Sequence, residues 1–95
     1  MVEKEIEYKF SKEVKKLGGI ALKLVCPSFD GVPDRLVLMP GGKLYFVEVK
    51  RPGAKPRPLQ VARHQMLRRL GFLVFVLDDP AQIDGVIEEV LAWHK

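Results

Sequence analysis

The chain has 95 residues, 47% of them hydrophobic, and 16 Lys and Arg against 12 Asp and Glu give it a net charge of +4. That length suits one small domain with a thin core, and the positive balance suits a polyanionic partner. A single cysteine, Cys26, excludes an internal disulfide, no Cys/His group has zinc spacing, and no apolar run approaches the roughly 20 residues of a membrane span.

Residues 2–17 carry Ile6, Phe10, Val14 and Leu17 at helical spacing and end at Gly18-Gly19, which predicts a helix. The N-terminus is charged from Glu3 on, so no signal peptide is read, and an intracellular protein is expected. At about 100° per residue, Glu3 projects within roughly 20° of Phe10, and Glu7 within roughly 20° of Val14. Lys4, Lys9, Lys12, Lys15 and Lys16 face away. An acid on an apolar stripe costs free energy unless it is paired or ligates something. For Glu3 the positive end of the helix dipole is reason enough. Glu7, deeper in the helix, is the expected functional acid, with Glu3 as the alternative.

Residues 20–25 form an apolar strand, and residues 26–31, rich in Pro, Ser, Asp and Gly, form a loop. Asp30 is read as a loop residue. Pro33 suits the start of a strand, so a second strand is expected over 34–39 and a third over 43–50, joined by Pro40-Gly41-Gly42. Side chains alternate on a strand, which puts Leu44, Phe46, Glu48 and Lys50 on one face. If the hairpin pairs about Gly41, Leu38 lies opposite Leu44, Leu36 opposite Phe46 and Asp34 opposite Glu48. Opposed Cβ atoms sit roughly 5 Å apart, and two carboxylates that close repel unless a cation lies between them. A hard divalent ion, Mg²⁺ or Mn²⁺, is what such oxygen ligands select. A one-residue slip would send Asp34 to the wrong face.

Residues 43–69 hold eight Lys and Arg and one acid, whereas residues 78–95 hold five acids and one Lys. Residues 51–58 form a proline-stiffened basic loop, and Pro58 opens a helix running to Leu70. Its inner side is expected to carry Leu59, Ala62, Met66, Leu67 and Leu70. Gln60, His64 and Arg68 fall on one stripe in line with Arg57, and with Arg51 and Lys55 they form a candidate phosphate track. Residues 72–77 are an apolar run of the kind buried on both faces of a sheet. Asp78-Asp79-Pro80 opens a last helix with Ile83, Val86, Ile87, Val90 and Leu91 on its apolar face, and Trp93 beyond it is a candidate core cap or dimer contact. The element order is α-β-β-β-α-β-α, an α/β domain spanning residues 1–95.

The Gly31-Val32-Pro33-Asp34 stretch, the Glu48-Val49-Lys50 triplet, Gln60 at the next helix start and an acid on the first helix together resemble the PD-(D/E)XK nuclease superfamily. Within it the chain is similar to the virus-type replication-repair nuclease (VRR-NUC) domain. The resemblance implies a restriction-endonuclease-like αβββαβ core with a mixed four-stranded sheet, followed by a C-terminal helix. It implies Mg²⁺- or Mn²⁺-dependent hydrolysis of DNA, with the ion held by Asp34, Glu48, the Val49 carbonyl and Glu7. Lys50 would orient the attacking water and stabilise phosphate charge, and Gln60 would position Lys50 or the nucleophile. Members act on branched or flap DNA, and short stand-alone versions look like homodimers of viral origin. The resemblance thus implies a Holliday-junction or flap endonuclease in the cytoplasm of a bacterium or a phage-infected host. A non-catalytic DNA-binding module and a sequence-specific restriction-type enzyme are the alternatives.

Overall fold

The computed structural model describes residues 2–93. Seven main elements follow the expected order: α1 (Glu3–Lys16), β1 (Ile20–Lys23), β2 (Arg35–Met39), β3 (Lys43–Val49), α2 (Pro58–Arg69), β4 (Leu73–Leu77) and α3 (Ile83–Leu91), the last preceded by a 3₁₀ turn, Pro80–Gln82. The strands form one mixed sheet in the order β1-β2-β3-β4. The first three run antiparallel, and β4 runs parallel to β3 after the α2 crossover. Strand ends differ from the sequence reading by one or two residues. No described helix is long and apolar enough to cross a membrane.

The β2–β3 hairpin pairs about Gly41, with Leu38 opposite Leu44 and Leu36 opposite Phe46. The turn needs two consecutive residues in the left-handed region, and Gly41 (φ 86°) and Gly42 (φ 77°) supply them without a Cβ clash. Alternation then sorts the sheet. Val37, Met39, Tyr45, Val47 and Val49 join Ile6, Phe10 and Val14 of α1, and Ile83, Val86, Ile87 and Val90 of α3, in one core. Phe46 and Val74 are buried on the opposite face, where Phe46 meets Phe72 edge to face at 5.7 Å. The Lys43 ammonium donates to the carbonyls of Val90, Leu91 and Trp93 at 3.2, 2.6 and 3.2 Å. A lysine at the head of β3 thereby caps the carbonyl end of α3. Trp93 itself is exposed.

One packing expectation is overturned. The residues α2 buries are Gln60 and His64, while Leu59 and Leu70 are exposed at 45% and 66%. The apolar residues of α2 are spread around its wheel, so they do not dictate its rotation. The helix instead turns its polar stripe toward the sheet, where Glu48 lies.

Tyr45 sits at the centre of the main core, edge-on to Phe10 and Phe75 at 6.5 and 5.8 Å. Its hydroxyl is buried without a hydrogen-bond partner among the described residues, and burial pushes its pKa up. An orphaned buried hydroxyl costs about 1–3 kcal/mol. Tyr45→Phe is therefore expected to raise stability by about 1 kcal/mol, read as a higher urea midpoint at unchanged m-value.

Candidate active site

Three side chains converge at the end of the sheet away from the glycine turn. The register sets Arg35 opposite Val47, so one step further Asp34 falls opposite Glu48. The Asp34 backbone is pinned, its carbonyl accepting from the Leu24 N–H at 2.9 Å and from Arg35 Nη1 at 2.8 Å. Its side chain crosses to β3, where Oδ1 accepts from the Val49 N–H at 3.1 Å. Glu48 is 3% exposed, and its Oε2 lies 3.9 Å from Lys50 Nζ. Lys50 is placed by its own backbone, whose N–H donates to the Leu77 carbonyl at 2.9 Å and extends the β3–β4 pairing by one residue.

The loop leading into Asp34 is clamped to α2. Gly31 has φ 89°, and a Cβ there would meet Leu59 Cγ at 2.9 Å and Arg63 Cγ at 3.1 Å, so only glycine lets the loop lie this close. Arg63 donates through Nε to the Asp30 carbonyl at 2.8 Å and stacks on Phe29 at 3.8 Å. Sequence reasoning missed Arg63, and nothing in a basic helical stripe distinguishes it. Asp30 contributes its backbone to this clamp.

Burial raises the Glu48 pKa to about 7, helped by the nearby Asp34 charge and opposed by Lys50. Burial likewise raises Asp34, against the lowering pull of the Val49 N–H and Arg35. These are two carboxylates held where negative charge is costly, the usual mark of a functional site. Among the described residues no group of three or more His, Cys, Asp or Glu side chains gathers tightly enough to hold a metal ion. The donor set still fits a hard divalent ion. Mg²⁺ is commonly held by one or two carboxylates, with waters and substrate phosphates completing its shell.

The two α1 acids divide differently from the sequence expectation. Glu7 forms an ion pair with Arg35 Nη2, so the acid expected to join the site is engaged by a β2 side chain. Arg35 was not singled out in the sequence. It is the one charged residue on the core face of β2, buried at 8% exposure, and such a group needs an anionic partner. Glu3, one turn earlier, raises both Asp34 and Glu48 by its charge, and Glu7 raises Asp34.

The α2 stripe also departs from its expected role. Gln60 Oε1 accepts from the Arg57 N–H at 2.8 Å and caps the helix, which is its one side-chain hydrogen bond among the described residues. His64 is 2% exposed and so is withdrawn from a phosphate track; its Nε2 lies 3.5 Å from Glu48 Oε1. Burial, with Arg68 and Lys50 nearby, lowers the His64 pKa. Arg68 donates through Nη2 to the Val74 carbonyl at 2.7 Å. Arg51, Lys55 and Arg57 remain exposed beside the site, and Arg57 acts electrostatically on Glu48.

No family model matches the chain. It is 54% identical over 76 residues to "Putative nuclease p44" of Acyrthosiphon pisum secondary endosymbiont phage 1, a match covering 80% of this chain and 82% of that protein. Its fold matches a solved VRR_NUC domain with a TM-score of 0.84 and 36% sequence identity, over 90% of this chain and 94% of the other. Shared identity at that level, along nearly the full length of both chains and on one αβββαβ frame, makes this chain a member of the VRR-NUC domain family.

Proposed function

We propose that the chain is a Mg²⁺- or Mn²⁺-dependent endonuclease that hydrolyses DNA phosphodiesters, acting as a homodimer on branched substrates such as flaps or four-way junctions. One observation carries this: Glu48, buried to 3% exposure, lies across the β2–β3 pairing from Asp34 and 3.9 Å from the Lys50 ammonium. Acid oxygens beside an ammonium group are the parts phosphoryl hydrolysis requires. The relative named a nuclease and the VRR_NUC neighbour support the same chemistry.

Asp34, Glu48 and the Val49 carbonyl would hold the ion, which when bound supplies a more acidic water and neutralises charge on the phosphate oxygens. The Lys50 ammonium stabilises negative charge on the phosphate and orients the incoming water. Arg51, Lys55 and Arg57, exposed on the loop between β3 and α2, attract the DNA backbone. Glu3, whose charge reaches both Asp34 and Glu48, takes the role of the helix acid, and Glu7 serves to hold Arg35. Dimerisation is supported by an uncovered stretch of sheet. Ile20, Leu22 and Leu38 share the α2-side face by register and are exposed at 52%, 40% and 37%. A symmetric pair of sites suits a junction that needs two cuts.

Cleavage of labelled flap, junction and duplex DNA with Mg²⁺, Mn²⁺ or EDTA tests the proposal. Wild type should cut branched substrates only with a divalent ion. Glu48→Ala and Lys50→Ala should lose about 10²–10³-fold in rate while retaining DNA binding in a gel-shift assay. Cleavage that survives EDTA or Lys50→Ala would rule the mechanism out.

The two α1 acids are separable. Glu7→Gln leaves buried Arg35 without its counter-charge and should cost about 1–2 kcal/mol in urea unfolding. Glu3→Gln should leave stability within about 0.5 kcal/mol and reduce cleavage.

The pH dependence has a definite sign. The Glu48 pKa is raised from 4.5 to about 7 on folding, so the folded state holds this proton through that window. The group's favourable contribution is therefore intact below about pH 4.5 and is lost as pH rises to about 7. In metal-free protein, Glu48→Gln should match wild type near pH 4.5 and exceed its stability by about 3 kcal/mol at pH 8. A difference that is flat with pH in paired melts would show that Glu48 is not buried as described.

A further inference from the structure

We infer that His64 is a positioning residue of this site: an uncharged imidazole whose Nε2–H is aimed at Glu48 Oε1 and holds that carboxylate with Oε2 on the Lys50 side. This rests on the proposal that Glu48 serves metal-dependent hydrolysis.

Apart from the Tyr45 hydroxyl in the other core, the buried side-chain polar atoms without a hydrogen-bond partner among the described residues are Glu48 Oε1 and His64 Nε2. They face each other at 3.5 Å, and both residues are at least 97% buried. Buried polar atoms without partners are costly. Two such atoms pointed at one another are most simply an interaction slightly too long to count. A shift of about half an ångström brings them to normal hydrogen-bond length.

The direction of the bond follows from the donor inventory. An ionised carboxylate only accepts, so the nitrogen facing it must carry the hydrogen. The Nε2–H tautomer donates without adding a positive charge to a site that already holds Lys50. The Nδ1 atom is then bare, and no donor reaches it among the described residues. The backbone fixes the aim. Gln60 caps the start of α2 and shares its buried stripe with His64 one turn on, so the cap sets the helix phase that turns the imidazole to the sheet. Lys50 Nζ approaches the other oxygen, Oε2, at 3.9 Å. The carboxylate is thus held from two sides, by a neutral donor on Oε1 and a cation near Oε2. Groups that orient a ligating carboxylate in this way typically change metal affinity by about 10–100-fold when removed.

Two measurements test this on the intact chain. In metal-free protein at about pH 9, above the Glu48 pKa so that the carboxylate is ionised, long-range ¹H–¹⁵N correlation of the imidazoles, assigned with His94→Asn, should show His64 as the Nε2–H tautomer. An Nδ1–H tautomer would overturn the inference. In Mn²⁺ calorimetry, His64→Leu should weaken binding about 10-fold, whereas His64→Gln, whose amide nitrogen can stand where Nε2 stood, should stay within about 3-fold of wild type. Metal-free melting curves of both variants should keep a cooperative transition, which separates positioning from a structural role. If His64→Leu binds Mn²⁺ as wild type does, or if His64→Gln is no better than His64→Leu, the inference fails. If wild type itself takes up no Mn²⁺, the metal proposal beneath it fails first, and the wild-type titration reports that separately.

Discussion

The pairing of β2 with β3 about Gly41 is the constraint on which everything else in this small domain depends. Two adjacent left-handed glycines close the hairpin, and from there the pleat assigns every residue to a face. One phase sends Val37, Tyr45, Val47 and Val49 into the core with α1 and α3, and the other sends Leu36, Phe46 and Glu48 toward α2. A slip of one residue would place Glu48 in the apolar core and Val47 at the site. The hydrophobic demand of the core and the chemical demand of the site are met by the same register, and neither is met by its neighbour.

That arrangement places a carboxylate where apolar packing alone would not. Glu48 is buried among Asp34, His64 and Lys50, and its charged form is disfavoured enough to lift its pKa to about 7. Local destabilisation of this kind is characteristic of sites built for reactivity. The structure offsets it with ordinary devices nearby. The Val49 N–H steadies Asp34, Arg63 and Gly31 lock the preceding loop onto α2, and the Gln60 cap anchors the start of that helix. Away from the site, Lys43 binds the end of α3 to the start of β3 and so helps close the main core.

The two helices flanking the site contribute unequally. From α1 comes Glu3, whose charge reaches both site acids, while Glu7 is paired with Arg35. From α2 come a buried amide and a buried imidazole, while apolar side chains such as Leu59 and Leu70 face outward. With Ile20, Leu22 and Leu38 also exposed on the uncovered part of the sheet, the chain shows more apolar surface than packing within one copy requires.

The element order, the hairpin register and the grouping of Asp34, Glu48 and Lys50 were all legible in the amino-acid sequence. A strand has a strict two-residue period, and a glycine turn between two apolar runs sets its phase locally, so which residues share a face follows without knowing the rest of the fold. The helical contributions were not legible in the same way. A helix can rotate about its axis, and where its apolar residues do not form one clear stripe, as in α2, contacts from elsewhere in the chain choose the buried face. Only tertiary structure could show that Arg35 takes Glu7 and that His64 turns inward to Glu48 instead of outward to solvent. Each of those outcomes depends on a partner far away in sequence, and such partners become neighbours only once the sheet and helices have packed.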